Sequence, residues 1–98
     1  MCGIFAAIAL GGSPLPNDTP VRISRALQSI KHRGPDATGI YFQPGQPFAL
    51  GHVRLSVIDT SASADQPFCS DCGRYYIVFN GEIYNYVELR IELEKNGV

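Results

Sequence analysis

Apolar and polar positions alternate along the chain with two different periods. Gly3 to Leu10 is a continuous apolar run with β-branched and aromatic members, which predicts a strand buried on both faces. Gly11 to Asp18 carries Gly, Ser, Pro and Asn and reads as a loop. Thr19-Pro20 then supplies an N-cap and a proline for the first helical position. Ile23, Ala26, Leu27 and Ile30 follow at helical spacing, so one face of that helix is apolar. Lys31, His32 and Arg33 complement the negative end of the helix dipole, and Gly34-Pro35 stops it.

The second part of the chain favours strands. Thr38 to Phe42 and Phe48 to Ile58 are β-rich runs separated by a turn at Gln43-Pro44-Gly45-Gln46. Asp59 to Asp65 is small and polar, hence a loop, and Arg74 to Phe79 predicts another strand ending at Asn80-Gly81. A last helix starts at Asn85, with Glu88 at capping-box spacing. Tyr86, Leu89 and Leu93 share one of its faces, and Gly97 ends it. Strand, helix, several strands, helix makes the class α+β.

Composition narrows the function classes. Ninety-eight residues suit one compact domain or a piece of one. Hydrophobic residues make up 45% and charged residues 17%, which is globular and not disordered. A net charge of -1 without a basic run gives no electrostatic reason to expect nucleic acid or an anionic membrane as partner. The apolar N-terminus lacks the basic leader of a signal peptide, and no stretch approaches the length that spans a bilayer. Three cysteines do not make a disulfide framework, so a reducing, cytoplasmic setting is expected.

Several residues could carry chemistry, each beside a plainer reading. Removal of Met1 would give Cys2 both a thiol and a free α-amine, the two groups an N-terminal nucleophile needs; otherwise Cys2 is a small apolar residue opening a strand. Asn80-Gly81 is a hairpin turn signal, or an oxyanion hole built from a side-chain amide and a backbone N–H. Arg54, on a mostly apolar strand, is either a surface residue or an anchor that needs an anion. His32-Arg33-Gly34-Pro35-Asp36 is a tight polar corner in which Arg33 and Asp36 could pair. Cys69 and Cys72 have C-x-x-C spacing, but without a second such pair two ordinary thiols in a strand-to-strand turn are favoured over metal.

Taken together the motifs have a family likeness. Met-Cys-Gly-Ile-Phe opens the chain, and His-Arg-Gly-Pro-Asp follows at 32–36. Then come Gly-His-Val-Arg-Leu-Ser-Val-Ile-Asp at 51–59, Gln66-Pro67, and Phe-Asn-Gly-Glu-Ile-Tyr-Asn-Tyr at 79–86. This order resembles the N-terminal glutaminase domain of glutamine-hydrolysing asparagine synthetases, which are class II (N-terminal nucleophile) glutamine amidotransferases. The resemblance implies the front half of an Ntn-hydrolase αββα sandwich, two sheets between helical layers, incomplete at the C-terminus. It implies Cys2 as nucleophile and Asn80 with Gly81 as the oxyanion hole. Arg54 would bind the glutamine α-carboxylate, Glu82 would help hold the substrate, and backbone groups near Leu55, Val57 and Ile58 would line the pocket. His32 to Asp36 would be a structural corner without a catalytic role.

Glutamine is then the expected substrate, and an ammonia-accepting synthetase domain the expected partner. No cofactor is expected in this chain, whereas ATP and Mg²⁺ are implied for the synthetase domain, whose nucleotide-binding motif lies outside it. The family motif that grips the substrate amine is also absent before Val98, so the 98 residues alone are expected to turn glutamine over poorly. Other outcomes left open are a different class II amidotransferase, a non-catalytic regulatory module, and a small redox or zinc protein built on Cys69 and Cys72. Oligomeric state is not legible.

Overall fold

The computed structural model describes residues 1–57 and 59–98. Strands β1 (Gly3–Ile8), β2 (Ala37–Phe42) and β3 (Phe48–Arg54) form an antiparallel sheet in the order β1-β3-β2. Helix α1 (Thr19–Ser29) packs across it. Side chains alternate along a strand, so Ala49, Gly51 and Val53 of the central strand share the face beneath the helix. A Cβ at Gly51 would come within 2.9 Å of Ile23 and 3.0 Å of Leu27, so this glycine lets helix and sheet close up. Ile23, Leu27, Ala49 and Val53 form the buried core, with Phe5, Leu15, Ile30 and Phe42 packed around them. Burying Ile23 and Leu27 contributes about 1.5–3 kcal/mol each.

The opposite face carries Leu50, His52 and Arg54. Strands β4 (Phe68–Cys69) and β5 (Tyr76–Ile77) form a second antiparallel sheet. It rests on the first through Tyr76, whose ring stacks on Tyr41 at 3.8 Å between centroids. The connecting chain also crosses this face at Gly39, where a Cβ would overlap the Gln66 carbonyl oxygen. Helix α2 (Tyr86–Lys95) ends in Gly97 at φ 79, with Val98 N–H bonded to the Leu93 carbonyl and Gly97 N–H to that of Glu94. Those two bonds make the glycine-terminated closure expected from the sequence.

The α+β class is observed, and several boundaries differ from the sequence reading for local reasons. β1 is buried on one face only: Ile4 and Ile8, on the face away from α1, are exposed. The N-cap position of the first helix is Asp18 and not Thr19; Asp18 makes no side-chain cap bond, and the Thr19 hydroxyl donates to the Pro16 carbonyl. It stops at Ser29, and Lys31–Arg33 forms a separate 3₁₀ turn. Asn85 caps α2 without a side-chain bond, so the capping box with Glu88 is not made. The strand expected to run from Phe48 to Ile58 ends at Arg54, where backbone donors turn to side-chain acceptors; Ile58 itself lies outside the described residues. The strand expected over Arg74 to Phe79 is only Tyr76–Ile77, since the Phe79 backbone bonds to a side chain.

Gly39→Ala tests the crossing over the sheet. Overpacking at such a contact costs about 1–3 kcal/mol, so its thermal midpoint should fall by several degrees. Gly11→Ala should leave the midpoint unchanged, because a Cβ there meets nothing within 4 Å. Equal midpoints for the two variants would contradict this packing.

Candidate functional site

The register of β1 on β3 determines what lies beside Cys2. Gly3 pairs with Val53, so the chain preceding β1 runs alongside the chain following β3. Leu55 N–H donates to the Cys2 sulfur at 3.3 Å, and the half-buried thiol faces the Leu55 carbonyl at 3.8 Å. Arg33 Nε–H donates to the Cys2 carbonyl at 3.1 Å. The Asp36 carboxylate accepts Ser56 N–H at 2.7 Å, and Asp36 N–H donates to the Arg54 carbonyl at 3.0 Å. A Cβ at Gly34 would overlap the Val53 backbone, so only glycine lets the corner lie this close. Arg33 and Asp36 therefore do not brace one another. Each holds one side of the Cys2 site, a role that sequence spacing did not signal.

Arg54 is the buried anchor and not the surface residue. It is 7% exposed, and its Nη1 donates to the Asp65 carboxylate and to the Ser61 carbonyl, both at 2.7 Å. Its Nη2 donates to the Asp59 carbonyl. The guanidinium thus organises the 59–65 segment, and its Nε–H makes no hydrogen bond among the described residues. Hydrogen bonds from Ser61 hold the exposed Asp59 carboxyl below its usual range.

These elements line an open cavity of about 490 Å³. Cys2, Arg54, Leu55 and Val57 line it from the β3 side, and Asn80, Gly81 and Glu82 from the segment before α2. Met1, Gln66, Phe79 and Tyr84 complete much of the wall. One concave space is thus lined by a cysteine, an Asn-Gly pair, an arginine and a glutamate. Ile58 lies outside the described residues. The hairpin reading of Asn80-Gly81 fails: neither residue has the positive φ of a type I′ turn, and the chain continues into α2.

Cys69, the last residue of β4, and Cys72, in the β4–β5 connection, are exposed and do not line this cavity. The Ser70 hydroxyl, 3.3 Å from its sulfur, lowers the Cys72 thiol from its ordinary range. Among the described residues no group of three or more His, Cys, Asp or Glu gathers as a metal site. No helix among them is long and apolar enough to cross a membrane.

His52 was not singled out from the sequence. It is 1% exposed on the same face of β3 as Arg54, and its Nε2 makes no hydrogen bond among the described residues. Burial lowers its pKa below the usual imidazole value; the nearby Phe79 carbonyl and the Asp65 carboxylate oppose this, and Arg54 adds to it. The unfolded chain, with an imidazole pKa of about 6.5, therefore takes up the proton first as pH falls. Stability held by neutral His52 is present above that pH and lost below it. The thermal midpoint of the protein should fall more steeply from pH 7 to pH 5 than that of His52→Gln; parallel curves would exclude a contribution from His52.

The glutamine amidotransferase domain family matches the chain over residues 1–98. Among curated relatives, an asparagine synthetase [glutamine-hydrolyzing] of Bacillus subtilis is 41% identical over 99% of this chain and 15% of its own length. The Arabidopsis thaliana enzyme of the same name is 43% identical over 98% of this chain and 16% of its own. Amidase chry2 of Gibberella zeae is 42% identical over 95% of this chain and 15% of its own. The chain thus spans about 15% of the length of the curated relatives it matches. No solved structure matches it significantly. Matched over residues 1–98 and 41–43% identical to these synthetases, the chain belongs to the glutamine amidotransferase domain family.

Proposed function

We propose that this domain hydrolyses glutamine to glutamate and ammonia, with Cys2 as the nucleophile once Met1 has been removed. The Cys2 thiolate attacks the side-chain amide carbon of glutamine, forming a tetrahedral oxyanion. The Asn80 side-chain amide and Gly81 N–H donate to that oxyanion as it forms. The α-ammonium of Cys2 gives its proton to the departing nitrogen, so ammonia leaves and a glutamyl thioester remains. Water then cleaves the thioester, releasing glutamate and restoring the thiol. Arg54 receives the substrate α-carboxylate through its Nε–H edge, Glu82 helps hold the substrate, and backbone groups near Leu55, Val57 and Ile58 line the pocket.

The gathering of Cys2, Arg54, Asn80, Gly81 and Glu82 on one cavity supports this reading most strongly. The two sheets are read as the front part of an Ntn-hydrolase αββα sandwich. In this reading the ammonia would pass to a synthetase domain that would use ATP and Mg²⁺ to amidate aspartate in the cytoplasm.

In the intact protein, Cys2→Ala should abolish glutamine hydrolysis while leaving ammonia-dependent synthesis in place. Asn80→Ala should lower kcat by about 10²–10³, the usual loss of one oxyanion donor. Steady-state kinetics with glutamine and with ammonium salts measures both. Glutamine hydrolysis retained in Cys2→Ala would refute the assignment.

A further inference from the structure

We propose that Gln66 is a positioning residue for this site: its side-chain amide sets the Asn80-Gly81 donors by gripping the backbone of Phe79. The proposal rests on the glutaminase reading above. Phe79 N–H donates to Gln66 Oε1 at 2.6 Å, and Gln66 Nε2 donates to the Phe79 carbonyl at 3.1 Å. An antiparallel neighbour would exchange the same two bonds with a strand residue. Here one side chain supplies both, because β5 has already ended at Ile77 and Phe79 lies outside any strand. Asn80 is the next residue, so its backbone direction follows from how Phe79 is held.

Gln66 is itself fixed from two sides. Its carbonyl lies over β2 in the space left by Gly39. Asp65, immediately before it, is bonded to Arg54 at the end of β3. Cys2 is attached to the same strand end through Leu55 N–H. Nucleophile and oxyanion donors are thus both referenced to β3, one directly and the other through Arg54, Asp65, Gln66 and Phe79. Gln66 also lines the cavity, so a change there reaches the site without crossing the hydrophobic core.

The test uses Gln66→Met and Gln66→Glu in the intact protein, with Cys2→Ala alongside. Gln66→Met keeps the length of the side chain and loses both bonds. Its kcat for glutamine should fall about tenfold to a hundredfold, as a misplaced catalytic group does, with KM changing far less. Alkylation of Cys2 by iodoacetamide needs no oxyanion donors and should keep its normal rate. In Gln66→Glu a carboxylate faces the Phe79 carbonyl near neutral pH, whereas the protonated acid restores an O–H donor. Its activity relative to the unsubstituted protein should therefore rise as pH is lowered toward the carboxyl range. Unchanged kcat in Gln66→Met, or a loss matched by slower alkylation with no recovery of Gln66→Glu at low pH, would overturn the proposal. If Cys2→Ala still hydrolyses glutamine, the nucleophile assignment fails. If Cys2→Ala is inactive and Gln66→Met is normal, only the role of Gln66 fails.

Discussion

The pairing of Gly3 with Val53 couples the start of the chain to the far end of the central strand. Because side chains alternate along a strand, a slip of one residue would turn the core face of β3 toward the second sheet and carry Arg54 to the side of α1. In the observed register the thiol of Cys2 meets the first free backbone N–H after β3, and the guanidinium of Arg54 reaches the loop that leads to Gln66. The core of Ile23, Leu27, Ala49 and Val53 lies on the opposite face and holds this register without entering the site. The hydrophobic core and the candidate site therefore occupy the two faces of one strand.

Polar groups around the site are tied to the scaffold in a consistent way. The 32–36 corner carries Arg33 and Asp36 to the two chain segments that meet at Cys2, and Gly34 is the residue that permits the approach. Arg54 would be costly to bury alone, and Asp65 with two loop carbonyls offsets that cost. A charge network of this kind orders a polar segment that has little apolar surface to bury. His52 contributes the one buried ring nitrogen without a partner among the described residues, and burial lowers its pKa.

Much of the fold was legible because its periodicity is strong. Ile23 and Leu27 at helical spacing gave α1, the run from Phe48 gave β3, and Gly97 gave the end of α2. The sequence misled where a side chain replaced a backbone partner. Gln66 takes the bonds that would have extended β5 to Phe79, and Asp36 takes the N–H of Ser56 beyond β3. Neither substitution has a local signature, since the partners are separated by 13 and 20 residues. The exposed outer face of β1 was also hidden, because an apolar run does not reveal which of its faces is covered. Cys2, Arg54 and Asn80-Gly81 were legible as residue types with a family likeness, while the positions of Arg33, Asp36 and Gln66 around them needed the tertiary structure.

The proposed reacting group is a mature N-terminal cysteine in this cavity. Intact-mass and peptide mapping after treatment with a glutamine-mimicking diazoketone measures this most directly in the intact protein. The expected result is a chain that begins at Cys2 and carries one adduct on that residue, with excess glutamine protecting it. A glutamine-cleaving protein that retains Met1, or that is inactivated by a label on another residue, would contradict it.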